Sequence, residues 1–340
     1  MHANMAWGIV GVLLGGLLNG SFILPMKRLR GWRWENSWLV YSIVALLIAP
    51  WTIAFATVPH LVTIYQSTSW GTIAEVLVFG FGWGIGGVLF GLGVTRLGLA
   101  VGYGVILGLI APIGTFLPLV VLHPERLWTR QGLALMIGTL LVLVGIFSCA
   151  VAGGRREREL RAQRAAPSGF VGGLVICILS GILSPMLNFA FVFGEELQRH
   201  AVSGGASSSM AANAIWALAL GAGFAVNAGY CLFRLEKNRT WNLFAMSNAP
   251  TGYWLGGSLM GICWYGGVMA YGMGATALGP LGGIVGWPLF MAMGLIVSNA
   301  LGALSGEWKG VSRRAYGYSL VGIAFLIVAI TVISSGGGSQ

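Results

Sequence analysis

Two stretches of this chain decide its fold, FGWGIGGVLFGLGVTRLG (81–98) and ICWYGGVMAYGMGATALG (262–279). They lie 181 residues apart and align without a gap, with 7 identical positions in 18. This agreement exceeds what composition gives, even in a chain with 55 glycines. We therefore predict an internal repeat, carried by Trp83/Trp264, Gly86/Gly267, Gly91/Gly272, Gly93/Gly274, Thr95/Thr276, Leu97/Leu278 and Gly98/Gly279.

The segments between and around these stretches are almost free of charge. The 340 residues include only 19 Lys and Arg and 9 acidic residues. An apolar run of about 20 residues must satisfy its own backbone in hydrocarbon, which predicts a membrane-spanning helix. A soluble helical protein would show a polar face on each helix, and these runs have none. Ten spans are predicted, at 5–26, 37–58, 72–95, 98–122, 131–152, 169–194, 210–233, 251–274, 278–304 and 315–334.

The basic residues predict the orientation of these spans. Sixteen of the 19 Lys and Arg lie in the odd-numbered connections. Because Lys and Arg near helix ends stay on the cytoplasmic side, both termini should face the periplasm and the protein should lie in a bacterial inner membrane. The net charge of +10 is therefore a topology signal and does not indicate a nucleic-acid partner.

The repeat unit contains five spans, and an odd number inserts its two copies in opposite senses. The predicted organisation is a first repeat at 1–154, a basic cytoplasmic linker at 155–168, a second repeat at 169–334 and a tail at 335–340 that resembles an artificial linker. Inverted repeats of this kind build many secondary transporters, which bind substrate near the midplane at the repeat interface. The sequence therefore predicts an all-α integral membrane carrier made of two inverted five-helix repeats.

The predicted substrate site centres on two symmetry-related tryptophans, Trp83 and Trp264, near the middle of spans 3 and 8. Tryptophan usually lies at membrane interfaces, so a midplane pair is compatible with stacking walls for a sugar ring; simple core packing is the alternative. In span 6, Asn188 shares a face with Ser180 and Ser184 beside Pro185. Further polar or aromatic contacts are predicted from Asn19, Tyr103, Tyr265, Tyr271 and Trp287.

Acidic groups inside the spans are scarce, since the chain has nine Glu and no Asp. Only Glu75 falls within a predicted span, which makes it a candidate for proton coupling. The stretch TIAE (72–75) also fits a capping box at a helix start, and this interpretation is favoured. No cofactor or metal site is predicted, because the four Cys lack metal-ligand spacing and the four His all fall on the predicted outer side, outside the spans.

The sequence also resembles a known family. FILPMKRLRGWRWE (22–35), Pro50-Trp51, NAGYCLFRLEK (227–237), RLG (96–98) and EW (307–308) with Arg313-Arg314 are similar to the bacterial L-rhamnose/proton symporter family of the drug/metabolite transporter superfamily. The resemblance covers the whole chain. It implies a ten-helix, two-repeat carrier with both termini outside, which takes up a 6-deoxyhexose together with protons.

The chain departs from the family pattern at the start of span 9. The family is more polar there, with Tyr and an Asp, whereas this chain reads LGGIV (281–285) and has Gly283 in place of the acid. The main expectation is a sugar carrier that works by alternating access, with protons and the lipid bilayer as its other partners. The alternative is a carrier of another metabolite in the same superfamily, either an exporter or an uncoupled facilitator. The sequence contains no embedded catalytic constellation, so an enzyme is not expected.

Overall fold

The computed structural model describes residues 2–160, 170–245 and 250–336, with main chain only at 2–4, 99–100 and 103. The described residues fold into a bundle of long helices. These are α1 (His2–Ser21), α2 (Trp34–Thr57), α3 (Trp70–Gly98), α4 (Gly104–Leu122), α5 (Arg130–Leu160), α6 (Phe170–Ser203), α7 (Asn213–Asn238), α8 (Thr251–Ala277), α9 (Gly282–Leu304) and α10 (Arg313–Gly336).

Nine helical segments within the described ranges are long and apolar enough to cross a membrane, which identifies an integral membrane protein. The helix α8 has 27 residues but is not among the nine. Its sequence is rich in Gly, Tyr and Trp, which are far less apolar than Leu or Ile. The helix packs against α1, α2 and α9.

Two predicted boundaries are wrong. The helix α5 continues through RREREL (155–160), which was expected to belong to a solvated linker. There, Arg155 lies 4.6 Å above the ring of Tyr318, and Arg156 pairs with Glu307 at 2.7 Å. The sixth helical region also passes its predicted end, because an amphipathic segment, Glu195–Ser203, follows the apolar part.

The helical backbone is interrupted at two places, within α6 and between α3 and α4. The helix α6 is interrupted at Ser184-Pro185, between its segments Phe170–Leu183 and Met186–Phe193. The continuous run from α3 into α4 is broken at Gly98, which has φ 79° and ψ 171°. Gly279, between α8 and α9, has φ 82°. Such positive φ angles favour glycine. Gly98 and Gly279 are the last pair of the two aligned stretches, so equivalent positions of the sequence share a positive φ angle.

The contacts made by helices α1–α5 have counterparts among the contacts made by helices α6–α10. The helix α1 packs against α8 and α9, and its counterpart α6 packs against α3 and α4. In the same way α2 contacts α8 and α7 contacts α3. The helices α5 and α10 pair with each other. Exchanging α1–α5 with α6–α10, in order, converts each of these contacts into another member of the set.

Glycines bring several helix pairs into close contact. A Cβ atom built on Gly15 of α1 would lie 2.6 Å from the Gly267 carbonyl oxygen of α8. One built on Gly80 of α3 would lie 2.1 Å from the Ala219 carbonyl oxygen of α7. Small residues let backbones approach closely in a bilayer, where helix association gains little from the hydrophobic effect. These glycines therefore set the helix spacing around the centre of the bundle.

Candidate substrate site

Trp83 and Trp264 meet at the centre of the bundle. Their indole rings are stacked, with centroids 5.3 Å apart and planes inclined by 27°. Trp264 is buried and Trp83 is half-buried, with the Trp83 ring against Gly223 of α7. Sequence symmetry predicted that both rings line one site, and the structure brings them into direct contact. In this conformation the facing ring surfaces cover each other, which leaves no gap for a sugar ring between them.

Further aromatic rings continue from this pair along α2. Tyr41 packs edge-on against Trp264 at 6.1 Å, and Trp38 lies 4.7 Å from Tyr41. Trp34 stacks on Trp38 at 5.1 Å. The Trp38 Nε1 donates a hydrogen bond to Asn227 Oδ1 at 3.1 Å, which fixes the ring between α2 and α7. The aromatic column thus runs from the centre to the predicted cytoplasmic end of α2.

Asn188 joins four helices near the predicted outer end. Its buried Nδ2 donates to the carbonyl oxygens of Gly114 in α4, at 3.0 Å, and Gly283 in α9, at 3.1 Å. The Tyr271 hydroxyl of α8 contacts Asn188 Oδ1 and lies 3.1 Å from the Gly283 oxygen. The break at Pro185 immediately precedes the short segment that presents Asn188. We call Asn188, Tyr271, Gly114 and Gly283 the outer clamp.

Asn19 occupies the related place in α1, since Leu18-Asn19 corresponds to Leu187-Asn188 in α6. The Asn19 side chain is half-buried and forms no hydrogen bond with any other described residue. An amide has two donor hydrogens and an acceptor oxygen. Asn19 therefore keeps its hydrogen-bonding capacity free, whereas that of Asn188 is used by the protein.

Two other predicted contact residues bond to the protein itself. The Tyr265 hydroxyl donates to Asn213 Oδ1 at 3.2 Å, and Asn213 Nδ2 donates to Thr57 Oγ1 at 3.0 Å. The Trp287 Nε1 donates to the Ile110 carbonyl oxygen at 3.2 Å. Tyr265 and Trp287 thus hold helices together in this conformation. The side chain of Tyr103 lies outside the described part of the chain.

Gly283 lies where the family resemblance implies an acid. A Cβ built there would be 2.6 Å from Val192 Cγ2 and 3.0 Å from the Phe191 ring. The position has no space for a carboxylate side chain in this packing. Its carbonyl oxygen serves instead as the acceptor of the outer clamp.

The predicted capping box at 72–75 is wrong. The helix α3 begins earlier, at Trp70, with Ser69 as N-cap: its side chain accepts from the Thr72 backbone N–H at 3.3 Å. Glu75 is exposed in the second turn of α3. The carboxylate at this helix start comes from Glu196 of α6, which accepts from the Ser69 backbone N–H at 3.0 Å and contacts Thr72 Oγ1. A negative charge is favourable at a helix N-terminus.

Glu35 is a buried acid that lies outside the predicted spans, because span 2 was expected to begin at residue 37. It is the one buried Glu among the described residues, at 2% exposure. Its Oε1 accepts hydrogen bonds from Asn238 Nδ2 at 2.7 Å and from Thr240 Oγ1 at 3.1 Å. Asn238 is the last residue of α7, and Thr240 lies two residues beyond it. The available signal was its position between Trp34 and Trp38, although a run of basic residues precedes it.

A second polar junction at the predicted cytoplasmic face is centred on Glu307, between α9 and α10. Lys27 contacts its Oε1, and Arg156 of α5 donates to its Oε2 at 2.7 Å. Partial burial alone would raise the pKa of this carboxyl group. The hydrogen bond from Lys27 and the charges of Arg156 and Lys27 outweigh that effect and hold the Glu307 pKa below its usual range.

A helical bundle with a broken helix, a central aromatic pair and glycine-spaced helices has the construction of a multi-pass membrane carrier. Residues 1–339 match the L-rhamnose-proton symport protein (RhaT) family, and the chain belongs to that family. It is a family of membrane symporters, not of enzymes.

The chain is also similar to individual proteins named L-rhamnose-proton symporter. It is 28% identical over 343 residues to the protein from Citrobacter koseri and 28% identical over 344 residues to that from Cronobacter sakazakii. It is 28% identical over 342 residues to the protein from Escherichia coli strain 55989. In each case the match covers 99% of both chains.

Proposed function

We propose that this protein imports a small neutral sugar, L-rhamnose or a related 6-deoxyhexose, together with protons across the bacterial inner membrane. The observation that carries the proposal is the stacked Trp83–Trp264 pair at the centre of a chain that belongs, over nearly its whole length, to a rhamnose symporter family. An indole offers an apolar face to sugar C–H groups and an N–H to hydroxyls. Two such rings suit a neutral sugar better than a charged metabolite.

The architecture we propose is ten spans, with α8 as the tenth, arranged as two inverted five-helix repeats of the drug/metabolite transporter type. The exchange of helix contacts between α1–α5 and α6–α10 supports it. The positive φ angles shared by Gly98 and Gly279 support it further. The proposed repeats are residues 1–154 and 169–334, and the basic segment 155–168 joins them, with its residues 155–160 continuing helix α5.

The orientation follows from the distribution of basic residues, and we place both termini in the periplasm. The junction of Lys27, Arg156 and Glu307 and the contact between Glu35 and Asn238 then lie at the cytoplasmic face. The outer clamp lies toward the periplasm.

We propose that transport proceeds by alternating access, with the two repeats rocking around a central site. The stacked Trp83 and Trp264 must separate to admit the sugar, and the amide of Asn19 then bonds to its hydroxyls. Symmetry assigns Asn188 the equivalent role after the outer clamp opens. The proposed site is completed by Tyr103, Tyr265 and Trp287. Before they can bind sugar, the hydrogen bonds of Tyr265 to Asn213 and of Trp287 to the Ile110 carbonyl must break.

Proton coupling requires a group that gains and loses a proton during the cycle, and Gly283 cannot supply one. Glu75 remains our candidate, because it is exposed near the predicted outer end of α3. Glu35 is the second candidate because it is buried between α2 and the end of α7. Replacement of the true coupling group by Gln should preserve sugar exchange and abolish accumulation driven by a pH gradient.

The test is uptake of radiolabelled L-rhamnose into vesicles that contain the purified protein. We expect accumulation above equilibrium when the outside is more acidic, and its loss when a proton ionophore is added. Equilibration without accumulation would identify an uncoupled facilitator. If L-rhamnose and other 6-deoxyhexoses neither enter nor bind, the sugar assignment is wrong and a carrier of another metabolite becomes the leading function.

A further inference from the structure

A cavity of about 530 Å³ opens at the predicted outer end of the bundle. It lies between the end of α4, the Glu195–Ser203 segment of α6 and the turn from α8 to α9. Neither Trp83 nor Trp264 is among its lining residues. Because Trp264 precedes Tyr271 by seven residues of one helix, the tryptophan pair lies about 10 Å deeper than Tyr271. The cavity is therefore separate from the proposed central site.

One wall of the cavity carries an acid and a base that do not pair. Glu195 and Arg199 are one helical turn apart and exposed, and the side chain of neither forms an ion pair or hydrogen bond in the described part of the chain. A carboxylate accepts hydrogen bonds and a guanidinium donates them in a planar fork. Together they match neighbouring sugar hydroxyls, each of which both donates and accepts.

The same wall contains the side-chain amide of Gln198, which lies between these two charged residues in the sequence and is fixed by two hydrogen bonds. Gln198 Nε2 donates to the Phe191 carbonyl oxygen at 3.4 Å, and its Oε1 accepts from the Thr276 hydroxyl at 3.4 Å. The amide thereby links the amphipathic segment to α8. This link fixes the segment that presents Glu195 and Arg199.

The remaining surface of the cavity is apolar and partly aromatic. Phe191 lines it and stacks on Trp216, with centroids 5.4 Å apart and planes 12° apart. Val192, Val202 and Pro280 also line it. A 6-deoxyhexose presents hydroxyls on some edges and a methyl group on another. A cavity with one charged wall and one apolar wall is therefore complementary to both kinds of group.

The cavity ends at a closed layer. Gly283 and Phe191 belong to its lining, and the Gly283 carbonyl is also an acceptor of the outer clamp. Tyr271 of the clamp packs 5.7 Å from Phe191. A molecule in the cavity is thus held outside the clamp in this conformation.

We propose that this cavity is a second sugar-binding site, an outer site where a 6-deoxyhexose binds before the outer clamp opens. The proposal rests on the function proposed above. Glu195 and Arg199 bind the hydroxyls, and the Phe191 side of the cavity receives the methyl group. The outer site increases the apparent affinity for sugar that enters from outside. It plays no part when sugar enters from inside.

The experiment compares both directions of transport in cells that lack other L-rhamnose uptake. For Arg199→Ala and Glu195→Gln we expect the KM for L-rhamnose uptake to rise about tenfold with kcat unchanged. The KM for efflux from preloaded cells should stay at the wild-type value. Arg130→Ala is the matched control, because Arg130 is exposed at the start of α5 on the same predicted face and does not line the cavity.

A further variant, Ser208→Trp, fills the cavity from an exposed position and should also raise the uptake KM. Wild-type uptake KM in all three cavity variants would overturn the outer site and leave the proposed function standing. Equal losses in uptake and efflux would also overturn it, because they indicate a general structural effect. A wild-type protein that carries no 6-deoxyhexose would overturn the function itself.

Discussion

The indole rings of Trp83 in α3 and Trp264 in α8 stack with centroids 5.3 Å apart, although 181 residues separate them in the chain. The two residues are equivalent positions of the repeated stretch. The stacking therefore places equivalent positions of the two stretches side by side. A sugar that enters this centre must replace one indole face with its own C–H surface.

Replacing either indole tests that exchange. We expect Trp83→Ala and Trp264→Ala each to weaken L-rhamnose binding by roughly 1–2 kcal/mol, in the range of aromatic contacts. The measurement is the KM for uptake together with thermal unfolding of the purified protein. Trp128→Ala is the control, since Trp128 is 80% exposed. Unchanged KM in both well-folded variants would assign the pair to packing alone.

The two equivalent asparagines should respond differently to truncation. Asn188→Ala removes the donor to the Gly114 and Gly283 carbonyl oxygens, and unpaired buried polar groups should lower the free energy of unfolding by about 1–3 kcal/mol. Asn19→Ala removes no bond to a described residue, so it should leave stability unchanged and raise the uptake KM. Thermal unfolding and uptake of both variants check this contrast; similar stability losses would contradict it.

The glycine contact between α1 and α8 should not tolerate a methyl group. In Gly15→Ala the new Cβ would meet the Gly267 carbonyl oxygen at 2.6 Å. The main chain fixes the positions of both atoms, so no side-chain rotation relieves the contact. We expect a loss of about 1–3 kcal/mol in unfolding free energy. Gly87→Ala of α3 is the matched control, because no atom lies within 4 Å of its added Cβ. Equal unfolding temperatures in the two variants would show that this interface adapts.

The stabilising effect of the Glu307 junction should be lost as the pH falls. Its pKa is lowered in the folded protein, so its stabilising effect is present above the unfolded-state pKa and is lost as the pH falls through the folded-state pKa. Glu307→Gln should therefore unfold at a lower temperature than wild type at pH 7, and the difference should shrink below about pH 4.3, the ordinary Glu value. A difference that is independent of pH would assign the effect to packing.

Thiol labelling tests the proposed orientation. In a variant without the four native cysteines, Ser207→Cys should react with an impermeant reagent added to cells with a permeabilised outer membrane. Lys309→Cys should react only after the inner membrane is opened. Both positions are exposed, so access depends on the side of the membrane alone. The reverse pattern would invert the topology.

Sequence composition predicted an all-helical membrane protein, because the bilayer imposes a simple rule on the length and polarity of its helices. It was wrong about the ends of α5 and α6, where helix continues into charged sequence. Arg156 is held by Glu307, and the Glu195–Ser203 segment is held by Ser69, Thr72 and Thr276. These partners are remote in the chain, so no local pattern reveals them.

The candidate site was only partly predictable, for a related reason. The internal repeat indicated that Trp83 and Trp264 lie at one depth. The contacts of Asn188 depend on main-chain carbonyls of Gly114 and Gly283, which every residue possesses and no sequence pattern distinguishes. The burial of Glu35 likewise depends on Asn238 and Thr240, more than 200 residues away.

The use of Gly283 as an acceptor constrains how this transporter can evolve. A main-chain carbonyl cannot be removed by mutation, so the acceptor of Asn188 and Tyr271 survives any change of codon at 283. Every amino acid reachable from a glycine codon by one nucleotide change is larger, however, and would collide with Val192 and Phe191. An acid at position 283 would require smaller residues at 191 and 192, so its appearance needs several coordinated substitutions.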